Sequence, residues 1–294
     1  MIKFLHYIFF ILILLSAVKV RAQQDPHFSL YRYNMNVINP AYAGTNGNLE
    51  ALFGIRSQWS GIQDGPETQN FNINSPLNKN MGAGFTIVND EVFVLKETHL
   101  YADFSYKIQV AEDLNLYAGI KAGGTFLNIS LSGLDIDNDP LFNQNVSKFN
   151  PNVGVGFYLK AENYYITLSA PGLISNDRFE KEGVTPVSGN ENSHVFLGGG
   201  YDVALNDDFK LKPSILSKIV TGAPLSIDLT ASAIYRDRLE LGSNYRWDES
   251  ITFFMIAGFS NNAFNFGYAY ESTTTDIKTY NNGTHEIILK FRLN

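Results

Sequence analysis

His285-Glu286, the acidic run Asp135-Ile136-Asp137-Asn138-Asp139-Pro140, and the trio His99, Asp103 and Ser105 are the stretches whose side chains could do chemistry. A His-Glu pair opens a zinc-protease motif only when a second His follows one helical turn later. Position 289 is Leu and its neighbours alternate like a strand, so metal catalysis is not expected there. The acidic run has oxygen ligands at alternate positions, as Ca²⁺ prefers, but lacks the Gly and Glu that complete a calcium loop. A solvated loop with Asx turns is the simpler reading; binding of a divalent ion there stays open. His99, Asp103 and Ser105 share one face of a strand, where alternate residues stand about 7 Å apart. That is too far for a hydrogen-bonded nucleophile relay. Gly82-Ala83-Gly84 and Gly154-Val155-Gly156 open no helix, so they are not phosphate loops; they leave room on one face of a sheet. The chain is expected to have no catalytic residue, metal ligand or cofactor.

The elements that position these residues are strands. In the closing segment Ile287, Leu289, Phe291 and Leu293 alternate with Lys290 and Arg292, and Glu286 shares the charged face. Successive side chains point to opposite faces, so one face is apolar and the other charged. Leu49, Ala51, Phe53 and Ile55 repeat the pattern, as do Val153, Val155, Phe157 and Leu159. Such period-2 runs predict 14 strands, at 49–59, 68–74, 81–89, 97–108, 114–130, 152–160, 164–170, 194–204, 209–220, 226–235, 238–246, 251–260, 264–271 and 284–293.

The first residues form a different element. Met1-Ile2-Lys3, an apolar stretch from Phe4 to Leu15 and Val20-Arg21-Ala22 describe a secretory signal peptide, cut after Ala22. The apolar run is shorter than the ~20 residues of a spanning helix. Loss of Lys3, Lys19 and Arg21 would take the formal charge from −7 to −10. That balance argues against a nucleic-acid partner, which needs clustered Lys and Arg. The chain has no Cys, so an exported fold here relies on sheet and burial rather than disulfides.

An apolar face needs either a second sheet or lipid. The connections decide between them. The three longest, 131–151, 171–193 and 272–283, all fall on one side, and the opposite side has tight turns. That segregation marks an outer-membrane barrel. The expected fold is therefore all-β: a transmembrane outer-membrane β-barrel of 14 antiparallel strands. Residues 1–22 are the signal peptide, 23–48 a short periplasmic or plug-like segment, and 49–294 the barrel. Both termini would lie on the short-turn, periplasmic side. The segment carries the turn Asn39-Pro40-Ala41-Tyr42-Ala43-Gly44, which cannot continue a helix or a central strand; it is expected to fold into or against the barrel mouth. Trp59 and Trp247 end up-going strands, where an interfacial aromatic belt would form. Arg56 and Arg246 point inward, either to hold a plug or cargo segment or, more simply, to pair with Glu50, Asp228 or Glu240.

Several of these stretches, in order, resemble the PorP/SprF membrane proteins of the type IX secretion and gliding machinery of Bacteroidota. They are Asp25-Pro26-His27-Phe28, Asn39-Pro40-Ala41-Tyr42-Ala43-Gly44, Arg56-Ser57-Gln58-Trp59, Gly65-Pro66, Gly200-Tyr201, Leu211-Lys212-Pro213-Ser214, Leu241-Gly242-Ser243-Asn244-Tyr245-Arg246 and Gly283-Thr284-His285-Glu286-Ile287. Asp90-Glu91-Val92 and Ser169-Ala170-Pro171-Gly172 depart from the family pattern at loop edges. The resemblance implies a non-enzymatic accessory role in exporting or retaining surface proteins, gliding adhesins with a C-terminal secretion domain among them. Implied partners are outer-membrane lipid, the secretion ring with its peptidoglycan-associated components, and the secreted cargo adhesin. The positions that carry the motifs and would contact partners are Asn39, Pro40, Tyr42, Gly44, Arg56, Trp59, Arg246, Gly283, His285 and Glu286. A passive porin or hydrophobic-solute transporter is the alternative.

Overall fold

The computed structural model describes residues 27–134, 145–175 and 192–293. The expected signal peptide and the acidic run 135–139 lie outside the described residues. The chain closes 14 antiparallel strands into a barrel. They are β1 Leu49–Ser57, β2 Glu67–Pro76, β3 Met81–Val92, β4 Leu95–Ala111, β5 Leu114–Ile129, β6 Val146–Lys160, β7 Tyr164–Ala170, β8 His194–Tyr201 with Val203–Ala204, β9 Phe209–Leu211 with Ser214–Val220, β10 Ser226–Tyr235, β11 Leu239–Arg246, β12 Ser250–Phe259, β13 Phe264–Thr273 and β14 Thr284–Leu293. Each pairs with its sequence neighbours, and β14 closes the ring on β1 from Leu49↔Leu293 to Ser57↔His285.

Alternation becomes burial. In β1, Glu50, Leu52 and Arg56 are buried toward the lumen while Phe53 and Ile55 are exposed outside. Phe85, Ile120, Phe157, Leu229, Phe253, Ile287 and Phe291 continue the outer apolar surface. A water-soluble monomer rarely exposes so broad an apolar surface; the lipid face of a barrel requires it. The tight turns have the backbone they need: Arg236 and Asp237, between β10 and β11, both take positive φ, as a two-residue hairpin turn demands.

Three strands depart most from expectation. β6 begins at Val146 rather than at 152 and includes Pro151. Below Val155 this strand pairs with β5 alone, because its ladder to β7 covers only Val155 to Lys160. An edge-like stretch tolerates the missing N–H of Pro151. β8 and β9 are each broken, at Asp202 and at Lys212-Pro213. Pro213 removes a ladder donor there, and Tyr201 N instead donates to the Pro213 carbonyl at 3.0 Å.

Candidate functional site

Residues 27–48 lie inside the barrel and form the core of the molecule. Phe28, Leu30, Tyr31, Met35, Ile38, Ala41 and Tyr42 are buried there. The only regular pieces of this plug are the helical turn Met35–Ile38 and the 3-10 turn Pro40–Tyr42. An irregular buried backbone has to find its hydrogen-bond partners elsewhere. The polar inner face of the wall supplies them.

The lower turn is built around Asn39, which is fully buried. Its Oδ1 accepts from Ala41 N at 2.8 Å, capping the 3-10 turn, and Pro40 occupies the first turn position, where no N–H is needed. Asn39 Nδ2 donates to the Phe157 carbonyl at 2.9 Å and to Thr167 Oγ1 at 2.7 Å. The Ala43 carbonyl accepts from Ser105 Oγ at 2.6 Å, and Gly44 N donates to Asn74 Oδ1 at 3.1 Å. Gly44 has φ +72°, and a Cβ there would stand 2.9 Å from backbone atoms of Ser75, Pro76 and Gly82. The inward wall glycines make this seat. A Cβ on Gly119 would lie 2.3 Å from Ala41 N, and one on Gly156 only 2.0 Å from Asn39 Oδ1.

Higher in the lumen, asparagines align the plug. Asn34 Oδ1 accepts from Asn70 and Asn72 at 3.2 and 2.6 Å. Asn36 Nδ2 donates to Asp103 Oδ2 at 2.9 Å, and Asp103 forms a buried ion pair with Lys121 at 2.8 Å. Lys121 also donates to the Asn36 carbonyl at 3.3 Å.

The plug is buckled to the wall near its first described residues. Glu286 accepts Ser29 N at 2.7 Å and Leu30 N at 3.2 Å. Arg56 bridges Glu286 at 3.3 Å and Glu271 at 2.9 Å, and donates to Ser29 Oγ at 2.8 Å. Ser29 Oγ in turn donates to Glu271 at 2.7 Å. These are charge-assisted bonds between buried groups, roughly twice as strong as neutral ones.

Apolar packing closes the lumen between these polar sets. One cluster joins Phe28, Tyr31, Met35, Ile38, Ala41 and Tyr42 to Val88, Tyr158 and Leu216 of the wall. A second joins Leu30 to Leu52, Phe254, Ile256, Ala269 and Ile288. On the long-loop side lies a cavity of about 130 Å³ lined by His27, Phe28 and Tyr31 together with His194 and Arg246 of the wall. On the short-turn side lies a recess of about 280 Å³ lined by Arg32, Met35 and Tyr42. Burial pushes the Tyr33 hydroxyl well above its ordinary range, and the adjacent Glu240 carboxylate adds to this. Burial, then the charge of Glu50, raises Tyr42 in the same way.

The residues singled out in the sequence distribute as follows. Asn39, Pro40, Tyr42 and Gly44 form one turn, and Arg56 and Glu286 meet in the buckle. Arg246 pairs with Asp228 at 3.0 Å and reaches Glu271 at 3.6 Å. Glu50 binds Lys290 and Arg292 instead of either inward arginine, and Glu240 accepts from Tyr33 of the plug. His285 sits on the outer face, its Nδ1 2.8 Å from the Tyr268 hydroxyl. Gly283, at φ +93°, packs against the Tyr270 ring, and its carbonyl accepts from Ser60 N. Trp59 is half-buried at positive φ, and Trp247 is exposed on the outer face beside Tyr245. His99, Asp103 and Ser105 take separate partners: Thr125, Lys121 with Asn36, and the Ala43 carbonyl.

The described segment spans the lumen: His27 lines the long-loop cavity and Gly44 rests on the short-turn end of the wall. The expected periplasmic start, at 23–26, lies outside the described residues. Glu286, Glu271 and Arg56 lie near the long-loop ends of their strands, and their charges hold Ser29 there. Ser29, Asn34, Asn36, Lys121 and Glu271 also belong to the site, and nothing in their local sequence marks them. One signal was present: Asn70, Asn72 and Asn74 alternate in β2 and so point together into the lumen.

A family model described as "Type IX secretion system membrane protein PorP/SprF" matches residues 20–291. Among solved structures, the chain is similar to the outer membrane protein Omp33 of Acinetobacter baumannii (8% identity, 84% of this chain and 98% of that one, TM-score 0.50). It is also similar to the CymD monoaromatic hydrocarbon channel (14% identity, 88% and 91% covered, TM-score 0.50). At these identities the likeness is one of fold. No curated protein sequence matches the chain.

Proposed function

The chain belongs to the PorP/SprF family of type IX secretion system membrane proteins, and from that premise we propose that it acts as a plugged, non-enzymatic accessory barrel. It resides in the outer membrane. Its long-loop end engages the C-terminal secretion domain of specific cargo, gliding adhesins included, for export or surface retention. Its short-turn end, where Leu293 pairs with Leu49, faces the periplasm and meets the secretion ring and peptidoglycan-associated components.

One observation carries this reading: residues 27–48 fill the lumen and contact the wall nearly all the way round. A solute conduit needs a continuous path. Here buried apolar clusters and ion pairs occupy the space that a path would cross. The likeness to a hydrocarbon channel is the observation behind the second reading, passage of small hydrophobic solutes.

The test is a chromosomal deletion of the gene in its native host, with surface and medium proteins compared by mass spectrometry. Selective loss of proteins bearing a C-terminal secretion domain supports the proposal. An unchanged surface proteome, with slower uptake of an apolar solute, favours the conduit.

A further inference from the structure

The recess at the short-turn mouth gathers cations in a chain whose formal net charge is −7. Lys160, Lys212, Lys290, Arg32 and Arg292 all line it. Lys290 and Arg292 share Glu50, each at 3.1 Å. The other three are neutralised only in part, by Asp202 and Glu240 at Arg32 and by Glu50 at Lys160. Arg32 and Lys212 share Asp202, each at 3.5 Å. Among the described residues Lys160 donates only to neutral oxygens, the Thr45 carbonyl at 3.0 Å and Asn46 Oδ1 at 2.8 Å. Glu240 accepts from the Tyr33 and Ser232 hydroxyls and keeps its charge near Arg32, and Glu162 stands exposed at the rim.

The wall is shaped for this arrangement. The two interrupted strands break side by side, at Asp202 in β8 and at Lys212-Pro213 in β9, and both charged residues line the recess. The Lys212 carbonyl, released from the ladder, accepts from Arg32 of the plug at 3.1 Å. A regular hairpin would have spent that carbonyl on its neighbour strand.

We propose that this recess is a docking seat for an acidic peptide segment of another protein, its carboxylates received by Lys160, Lys212 and Arg32. Charge complementarity selects an anion. The size of the recess, about 280 Å³, and its walls of Tyr33, Tyr42, Tyr158, Tyr164 and Tyr165 select a chain over a single small ion. Tyrosine presents an apolar body with a polar tip, suited to peptide backbone and stems. Arg32, Thr45 and Asn46 belong to the plug, so an occupant touches plug and wall together. The seat deepens the reading of the short-turn end as a contact surface and rests on it, while its test on the purified barrel fails separately from the secretion phenotype.

The test is a binding titration of the full-length barrel in detergent with a fluorescent ten-residue Asp/Glu peptide. The matching Asn/Gln peptide and inorganic phosphate serve as comparison probes. The acidic peptide binds, and the amide peptide binds at least about tenfold more weakly. Lys160→Gln with Lys212→Gln weakens binding about tenfold, and added salt weakens it further. Lys210→Gln, outside the recess and paired with Asp237, leaves it unchanged. Heat-modifiable migration on gels verifies that each variant is folded, and Lys160→Arg, which keeps the charge, retains binding. Equal binding of the two peptides overturns the proposal, as does insensitivity to the double substitution in a folded barrel. Displacement of the acidic peptide by phosphate at equal concentration reduces the seat to a simple anion site and overturns it too.

Discussion

Arg56→Gln tests how the plug is held. The guanidinium joins Glu286, Glu271 and Ser29 Oγ at 3.3, 2.9 and 2.8 Å, with side-chain exposures of 2% for Arg56 and Glu286 and 6% for Glu271. Removing one partner of a buried ion pair costs about 3–5 kcal/mol, because the remaining charge is left uncompensated. Two features pull the expected value toward the lower figure. Arg246 still reaches Glu271 at 3.6 Å, and Ser29 N and Leu30 N still donate to Glu286. A loss of about 3 kcal/mol raises the population of undocked plug by roughly two orders of magnitude. The chain has no cysteine, so a Leu30→Cys reporter can be followed alone. Leu30 is 2% exposed inside the second apolar cluster. Labelling by a bulky maleimide then measures plug opening, and adding Arg56→Gln should accelerate it about a hundredfold. An acceleration below about threefold, in a barrel that remains heat-modifiable, would refute the buckle.

Further predictions follow from the same contacts. Gly119→Val places its Cβ 2.3 Å from Ala41 N; overpacking costs about 1–3 kcal/mol and should expose the Asn39–Gly44 turn to limited proteolysis, with resistance equal to the parent counting against the seat. Deleting residues 27–44 should leave a heat-modifiable barrel that conducts ions in planar bilayers, whereas the parent stays closed; equal conductance of the two contradicts the plug. Met255→Arg, outward-facing within β12, should cost about 2–4 kcal/mol in vesicle refolding if it lies near the bilayer midplane, and no loss would place it outside lipid. Tyr33 and Tyr42 are raised above the ordinary 10.0, so their contribution is complete below about pH 10 and is lost as pH rises beyond it. Maleimide labelling of the Leu30→Cys reporter, corrected for thiolate formation with a free peptide, should accelerate above that pH and not below it.

Much of the wall could be read from residue types because lipid imposes a strict rule on every second residue. Ile287, Phe291 and Leu293 follow it, and so do Phe53 and Ile55 of the neighbouring strand. The rule is weaker inside. Leu52, Val88, Leu216, Phe254, Ile256 and Ile288 face a lumen expected to be polar, yet they are buried against the plug. Their only trace in the sequence is an apolar residue on both faces, as in Ile287-Ile288-Leu289. Glu286 illustrates the larger gap. Its alternation places it inward, but its partner Ser29 lies 257 residues away, and no local pattern specifies such a pair. The breaks at Asp202 and Lys212 were illegible for a similar reason: Pro213 signals an irregularity, but only the strand pairing shows what fills it.

On the proposed reading, this plugged barrel works as a part of the type IX secretion machine rather than alone. Affinity purification of the tagged protein from native outer membrane, solubilised gently and analysed by mass spectrometry, tests it most directly. Secretion-ring proteins and at least one protein bearing a C-terminal secretion domain should co-purify, with ring proteins lost on deletion of residues 27–44. Recovery of the barrel by itself, under conditions that keep the ring intact, would contradict it.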